Sequence, residues 1–131
     1  MPDNPKLDLA KYRLEKAWEC YKDATSTFEL GAYNTAANRI YYSIFHAMRA
    51  VLAIEGFDSK KHSGIISAFR LKYVKSGIFA VEFSEIIELA FKLRAKSDYD
   101  DFYVISKEDV SGQIENSRRF LDAVGEYIET L

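Results

Sequence analysis

The stretch "AANRIYYSIFHAMRAVLAIE", residues 36–55, decides the fold of this chain. Its apolar residues recur every three or four positions, which is the spacing of one face of an α-helix. They form a band wider than the single stripe of a surface helix, so this helix is expected to be buried on more than one side. The band consists of Ala36, Ile40, Ile44, Ala47, Val51 and Ile54, flanked by Tyr33, Ala37, Tyr41, Met48 and Leu52.

Arg39 and His46 interrupt this apolar run and are seven positions apart. Two helical turns come within about 20° of that spacing, so both side chains lie on one face, together with Ser43 and Ala50. Small residues let a second helix or subunit approach, and in such a groove the guanidinium could bind a phosphate while the imidazole exchanges protons. Tyr42 could add a hydroxyl group or a stacking face. The alternative is structural: His46 hydrogen-bonds inside the bundle and Arg39 pairs with an acid.

Helices are also predicted on both sides of this stretch. A first helix is expected over about 6–30, ending at Gly31, because apolar residues repeat there every seven positions. Asn34 or Thr35 could cap the second helix, which continues to about Glu55. The repeat of the first helix is Leu7, Leu14, Tyr21 and Phe28.

Three more helices follow. The third is predicted over about 60–75 with Ser59 as its cap, and the fourth over about 81–96. A polar and aromatic loop, "SDYDDFYVIS" at 97–106, precedes a fifth helix that Ser106 can cap. The apolar seam of that last helix is Val110, Ile114, Ser117, Leu121, Val124 and Ile128.

No segment alternates with the period of a strand, so the expected fold is all-α: a five-helix antiparallel up-and-down bundle. Its 131 residues fit one domain, 1–131, with a core over about 7–128. The single cysteine, the absence of an apolar h-region and the lack of any run of about 20 apolar residues predict a cytoplasmic protein without a membrane span.

Charge is distributed unevenly along the chain. The net charge of −2 argues against a protein that simply coats nucleic acid. Residues 56–80 nevertheless carry five lysines and arginines against one acid, whereas residues 98–131 carry nine acids against three bases. A local basic face is therefore compatible with the sequence. His62, beside Lys60 and Lys61, could join a site there that attracts phosphate.

A second candidate site is "RAKSDYDDFY", residues 94–103. Arg94 and Asp98 are four positions apart and could form a simple helical ion pair. Asp98, Asp100 and Asp101 could together hold a metal, but the loop lacks the glycine and terminal glutamate of a calcium loop. No glycine-rich phosphate loop, CxxC or HExxH occurs either, so neither a metal nor a cofactor is predicted.

Three segments together resemble HEPN domains (higher eukaryotes and prokaryotes nucleotide-binding), and most closely the small stand-alone prokaryotic branch. They are "NRIYYSIFHAMRAVL" in the second helix, "KKHSGIISAF" opening the third and "RAKSDYDD" after the fourth. The resemblance implies a helical bundle that forms a homodimer. It also implies a toxin-antitoxin pair in which the partner is a minimal nucleotidyltransferase.

Many HEPN members are metal-independent ribonucleases that carry an arginine, four to six residues and then a histidine. Arg39 and His46 satisfy this spacing, whereas Arg94, at the usual late position, is followed by Tyr99 instead of histidine. The resemblance therefore implies either that activity is absent or that Arg39, His46, Arg94 and Tyr99 form the catalytic groove. Further candidates for lining that groove are Asn38, Tyr42, Ser43, Lys60, Lys61, His62 and Asp98.

The leading hypothesis is a HEPN-type component of a toxin-antitoxin pair, acting as a dimeric, metal-independent endoribonuclease. One histidine would deprotonate a ribose 2′-hydroxyl, its dimer mate would protonate the leaving oxygen, and arginine would stabilise the phosphorane. The alternative is a non-catalytic helical module that binds a nucleotide, RNA or the nucleotidyltransferase. A tyrosine in an exposed acidic loop, Tyr99, could also accept a nucleotidyl group from that partner.

Overall fold

A computed structural model describes residues 4–99 and 105–131, and over these residues the chain is all-α. Its five helices are α1 (Pro5–Glu29), α2 (Tyr33–Ile54), α3 (His62–Phe69), α4 (Glu82–Tyr99) and α5 (Lys107–Glu129). The predicted all-α fold is thus confirmed. None of the helices in the described ranges is long and apolar enough to cross a bilayer.

The second helix occupies the centre of the bundle, as its wide apolar band predicts. It contacts α1, α3, α4 and α5. Thirteen of its residues are buried, among them Ile40, Ile44, Val51 and Leu52 at 0–1% exposure. Because α2 is covered on several sides, only a narrow strip of its surface can form part of a functional site.

The direction of the helices follows from contacts at their ends. The rings of Phe28 and Tyr33 meet where α1 turns into α2, and Arg13 near the start of α1 donates to the carbonyl of Arg49 near the end of α2. These two helices are therefore antiparallel. The fifth helix begins beside the start of α2, where the Ile105 amide donates to Oδ1 of Asn34 at 3.1 Å.

Asn34 does not cap α2, contrary to the sequence prediction, and neither does Thr35. The position before the helix is Ala32, which has no side-chain cap, and the Asn34 amide oxygen instead accepts the long-range bond from Ile105. The sequence identifies Asn34 as a polar residue near the helix start, but it does not show that Asn34 accepts a hydrogen bond from Ile105, 71 positions away.

The third helix is shorter than predicted and changes its winding. It ends at Phe69, and a π-helical turn, Arg70–Val74, continues it. Ser59 lies before the helix start: its Oγ accepts from the amide of Lys61, the residue at the cap position. A π-helical turn holds one residue more than the corresponding α-helical turn, and the spacing of apolar residues in the sequence does not reveal it.

The fourth helix is longer than predicted, because Ser97, Asp98 and Tyr99 continue it instead of beginning the loop. At α5 the prediction is confirmed: the Ser106 hydroxyl accepts from the Asp109 amide at 3.1 Å, and the predicted seam faces the core. Residues 100–104 of the predicted loop, including Asp100 and Asp101 of the metal hypothesis, lie outside the described residues.

Candidate functional site

Four side chains spaced along α2 form what we call the α2 stripe: Arg39, Tyr42, His46 and Arg49. Each is half-buried, at the border between the core and the surface. Their spacing of three, four and three positions keeps them on one side of the helix. Arg49 extends the stripe one turn beyond the predicted pair.

The Tyr42 ring is the point at which the predicted residues meet. The guanidinium carbon of Arg39 lies 5.3 Å from its centroid, and that of Arg94 on α4 lies 5.7 Å away. The His46 ring centroid is at 6.3 Å and that of His62, edge-on, at 5.9 Å. Residues from three helices, far apart in sequence, thus surround one half-buried aromatic ring.

Arg39 is held by its neighbour in sequence. Its Nε and Nη2 both donate to Oδ1 of Asn38, at 3.1 and 2.6 Å. The structural alternative expected an acidic partner, but the partner here is a neutral amide. Within the described residues, no carboxylate therefore offsets the positive charge of Arg39.

His46 lies among positive charges. Burial lowers the pKa of its imidazole below the usual value of 6.5, and Arg49, Lys16, Arg13 and Arg39 lower it further. It makes no hydrogen bond to any residue in the described part of the chain. The imidazole is therefore neutral at pH 7, with a nitrogen lone pair that is free to accept a proton.

His62 has a similar electrostatic setting but a fixed partner. Its Nδ1 lies 2.9 Å from the Tyr41 hydroxyl, and its ring centroid is 4.2 Å from that of Phe45. Burial lowers its pKa, and Arg94 and Arg49 lower it further. Sequence reasoning proposed a phosphate-attracting role for His62 but did not find Tyr41, because that contact depends on how residues 55–61 fold back.

An open depression of about 550 Å³ lies beside His62. Asp58 stands at its edge and accepts from Nη2 of Arg49 at 3.1 Å, from Nη2 of Arg13 at 3.4 Å and from the Ser59 amide at 2.8 Å. Sequence reasoning missed Arg13, Arg49 and Asp58; the position of Arg49, ten residues after Arg39, is the signal that could have found it. The lining residues are Phe45, Arg49, Asp58, Ser59, Lys60 and His62.

The predicted helical ion pair of Arg94 is confirmed, since its Nε lies 2.9 Å from Oδ2 of Asp98. The Nε–H bond is not directed at that oxygen, so the contact is ionic more than a true hydrogen bond. The guanidinium also covers the Tyr41 ring at 4.8 Å. Arg94 therefore connects α4 to the tyrosine that holds His62.

The other predicted residues are distributed differently. Ser43 does not reach a groove: its side chain is fully buried and its hydroxyl donates to the Ile40 carbonyl at 2.7 Å. Tyr99 is 82% exposed at the end of α4. Lys60 lines the depression, and Lys61 is exposed at the start of α3. Ser43 was misplaced because its small side chain bonds back to its own helix.

A metal site finds no support in residues 4–99 and 105–131, where no three histidine, cysteine or acidic side chains come together as ligands would. Asp98 is engaged with Arg94. The α2 stripe together with His62 and Arg94 offers a set of cations, two neutral imidazoles and aromatic rings. Such a set can bind a phosphate, stack a base and move a proton.

The comparisons with known proteins agree with this fold. Residues 10–127 match the HEPN domain family. A Thermotoga maritima protein named "UPF0332 protein" is 33% identical over 98% of this chain and 97% of its own length. A Methanocaldococcus jannaschii protein named "Putative toxin MJ0142" is 31% identical, over 94% of this chain and 83% of its own. A second protein of that organism, "Putative toxin MJ0605", is 32% identical over 85% and 82%.

The family match covers most of the chain, and the relatives match along nearly their whole lengths. The predicted resemblance is thereby confirmed, and the chain belongs to the HEPN domain family.

Proposed function

We propose that this chain is the toxin of a toxin-antitoxin pair and that it cleaves RNA as a dimeric, metal-independent endoribonuclease. One observation carries the proposal: Arg39, Arg94, His46 and His62 all surround the Tyr42 ring. The names of the two M. jannaschii relatives support the toxin role. The antitoxin would be a minimal nucleotidyltransferase, as in similar HEPN pairs.

The local charge supports binding of an RNA backbone despite the net charge of −2. Arg13, Lys16, Arg39 and Arg49 all act on the His46 imidazole, so four cations lie near this one group. A cluster of cations attracts phosphates and raises their local concentration even in a chain whose net charge is negative. The half-buried Tyr42 ring, close to both Arg39 and Arg94, is the aromatic side chain on which a base would stack.

In the proposed reaction, neutral His46 takes the proton of a ribose 2′-hydroxyl, and the 2′-oxygen attacks the adjacent phosphorus. The bond from phosphorus to the 5′-oxygen breaks, and that oxygen receives a proton from the protonated His46 of a second copy. The products are a 2′,3′-cyclic phosphate and a 5′-hydroxyl. Arg39 stabilises the charge that develops on the phosphorane oxygens.

The lowered pKa of His46 fits the role of a base, since the imidazole is neutral at pH 7. The acid in the second copy must be protonated, and a bound phosphate supplies a negative charge that favours this form. No metal takes part in these steps. Activity in the presence of a chelator is therefore expected.

A second candidate is a module that binds RNA, a nucleotide or the nucleotidyltransferase without cleaving it. The observation that favours it is that both arginines have partners in the free chain: Arg39 with Asn38 and Arg94 with Asp98. Tyr99 instead of histidine at the late position points the same way. This candidate predicts RNA binding with no cleavage.

The test is cleavage of a single-stranded RNA in EDTA by the wild type, His46→Ala and Arg118→Ala. Arg118 is a control because it is exposed on α5 and paired with Asp122 of the same helix. We expect the wild type and Arg118→Ala to cleave equally and His46→Ala to lose roughly 100-fold or more in rate. Equal cleavage by His46→Ala would refute the role of His46, and binding without cleavage by the wild type would leave the second candidate.

The toxin role has its own test. Expression of the wild type is expected to stop growth, expression of His46→Ala is not, and a nucleotidyltransferase encoded beside the gene should restore growth. Continued growth with the wild type at matched protein levels would count against the toxin assignment.

A further inference from the structure

The depression beside α3 is distinct from the Arg39–His46 pair on which the proposed reaction depends. It measures about 550 Å³ and is open to solvent at the surface between the end of α2 and the start of α3. Arg49, Lys60 and His62 line it together with Asp58. Three nitrogen-bearing side chains facing one open space are the composition of an anion site.

The hydrogen bond between Tyr41 and His62 determines what the histidine offers to this space. The Tyr41 side chain is 2% exposed, and its hydroxyl has no hydrogen-bond partner within the described residues besides Nδ1 of His62. A buried hydroxyl donates its proton if an acceptor is in reach. The hydroxyl therefore donates to Nδ1, and the hydrogen of the neutral imidazole lies on Nε2.

The titration behaviour of both groups supports this assignment. Burial raises the pKa of Tyr41, so the hydroxyl keeps its proton. Burial lowers the pKa of His62, with Arg94 and Arg49 adding to the effect, so the ring is neutral at pH 7. Since Nδ1 is engaged by Tyr41, the opposite edge, with the Nε2–H group, is the one left to face the depression.

Arg49 supplies one of the two positive charges in the lining. Its Nη2 bonds to Asp58, its Nε is buried without a hydrogen-bond partner, and its guanidinium carbon lies 5.9 Å from the Phe45 centroid. A buried donor without a partner gains a hydrogen bond if an anion or water arrives.

Asp58 is the one negative charge at the edge, and it is already balanced. Arg13 and Arg49 both pair with it, and hydrogen bonds from Ser59 and Arg49 lower its pKa although burial opposes them. Among the residues that line the depression, two cations, Arg49 and Lys60, stand against the carboxylate of Asp58, which Arg13 also pairs with from outside the lining. The depression is therefore positively charged overall.

We propose that this depression is a binding site for a phosphate group of RNA or of a nucleotide, held by Arg49, Lys60 and the Nε2–H group of neutral His62. His62 is then a fixed donor and not a general base, since Nε2 carries a hydrogen in both protonation states. The choice of RNA as the natural ligand rests on the proposed function. On that reading, the depression holds a phosphate next to the one that is cleaved.

The experiment uses the full chain labelled with ¹⁵N in its histidines. Long-range ¹H–¹⁵N spectra report the tautomer of each ring, and titrations follow the His62 and His46 signals. The probes are inorganic phosphate, 5′-AMP and a short single-stranded RNA with and without a 5′-phosphate. The variants are Arg49→Gln, Tyr41→Phe and the control Arg118→Ala, with amide spectra to show that each is folded.

We expect the Nε2–H tautomer at His62 and a saturable shift of its signals with phosphate. Arg49→Gln should weaken that binding by about tenfold, because a charge-assisted hydrogen bond is lost. Equal shifts with both RNAs would assign the site to backbone phosphates, and a shift only with the 5′-phosphate or 5′-AMP would assign it to a nucleotide. An Nδ1–H tautomer, or no shift of His62 with any probe, would overturn the proposal.

The two proposals fail separately. If RNA moves the His62 signals but is not cleaved in EDTA, the phosphate site stands and the ribonuclease proposal falls. If RNA is cleaved but the His62 signals do not move, the ribonuclease proposal stands and the phosphate site falls.

Discussion

The two histidines of this chain lie beside the same two aromatic rings, those of Tyr42 and Phe45. The His46 and His62 centroids are 5.9 and 4.2 Å from that of Phe45, and 6.3 and 5.9 Å from that of Tyr42. Both are half-buried near arginines, and both have a lowered pKa. By charge and burial alone they would be assigned the same role.

The two histidines differ in their hydrogen bonds. The Nδ1 of His62 is engaged by Tyr41, whereas His46 has no such partner among the residues that the structure describes. A ring with one nitrogen engaged in this way presents a donor at the other nitrogen, and a ring without a partner can exchange a proton. We therefore propose that His46, which lies near Lys16 and Arg13 of α1, transfers the proton and that His62, at the start of α3, binds phosphate.

The largest expected effect is on the rate of RNA cleavage and concerns Arg39, which lies on the same face of α2 as His46. Arg39→Ala should lower the rate of RNA cleavage by roughly 100-fold, because charge on the phosphorane is no longer stabilised. Arg39→Lys should recover little, since lysine cannot form the bidentate contact. Single-turnover cleavage measures both, with Lys96→Ala on α4 as the control for loss of one positive charge. A rate close to that of the wild type for Arg39→Ala would remove the catalytic site from the α2 stripe.

A smaller effect is expected at Arg49, on the His62 side. Arg49→Ala should weaken RNA binding by about tenfold through loss of a charge-assisted contact. The matched control is Arg119→Ala, which breaks an ion pair between α5 and α4, to Glu82, away from the α2 stripe. Fluorescence anisotropy with labelled RNA compares the two. If both variants weaken binding equally, Arg49 acts through general charge and not through a site.

Substitution of the Tyr41 hydroxyl tests whether its hydrogen bond sets the tautomer of His62. Tyr41→Phe should cost about 1 kcal/mol in the free energy of unfolding and release the His62 tautomer. Tyr73→Phe is the control, because the Tyr73 side chain is also buried and its hydroxyl donates to Glu55 at 3.1 Å, away from either histidine. Urea unfolding and histidine NMR should show a stability loss in both variants but a tautomer change only in Tyr41→Phe. An unchanged His62 tautomer in Tyr41→Phe would contradict the assignment.

The smallest expected effect is on the pH dependence of the free energy of unfolding. Both histidines have a pKa below 6.5 in the folded chain, so the unfolded chain binds more protons as pH falls from that value. The free energy of unfolding should therefore decrease on acidification through the window from about 6.5 down to the lower folded pKa values. A His46→Gln, His62→Gln double variant should show a flatter profile there. The same slope in both proteins would mean that the two rings are not the source.

This window is separate from that of the paired carboxylates. Asp58 has a pKa below its usual 3.8, so the stability it contributes is present above that value and is lost as pH falls through its folded pKa. Asp58→Asn should therefore flatten the more acidic limb of the stability profile, below about pH 3.8.

Sequence reasoning predicted the elements that rest on periodicity and local capping. The wide band of α2 indicated a central helix, and Ser106 with Asp109 marked the start of α5. The Arg39–His46 pair was identified because two helical turns put both residues on one face. These signals are local, and no knowledge of the other helices is needed to find them.

The remaining features depend on tertiary contacts. Tyr41 and His62 are 21 positions apart and meet because residues 55–61 fold back over α2. Asp58 pairs with Arg13 of α1 and with Arg49 of α2, and Ser43 is buried, so these features depend on how the elements pack together. Spacing along one helix could identify His46, but the contrast with His62 required the fold.

The most direct test of this contrast is the concentration dependence of single-turnover RNA cleavage in EDTA for the wild type, His46→Ala and His62→Ala. We predict that His46→Ala loses the maximal rate and keeps the half-saturating concentration of protein. His62→Ala should raise the half-saturating concentration by about tenfold and keep the maximal rate. Equal loss of maximal rate in both variants, or no loss in either, would contradict the account.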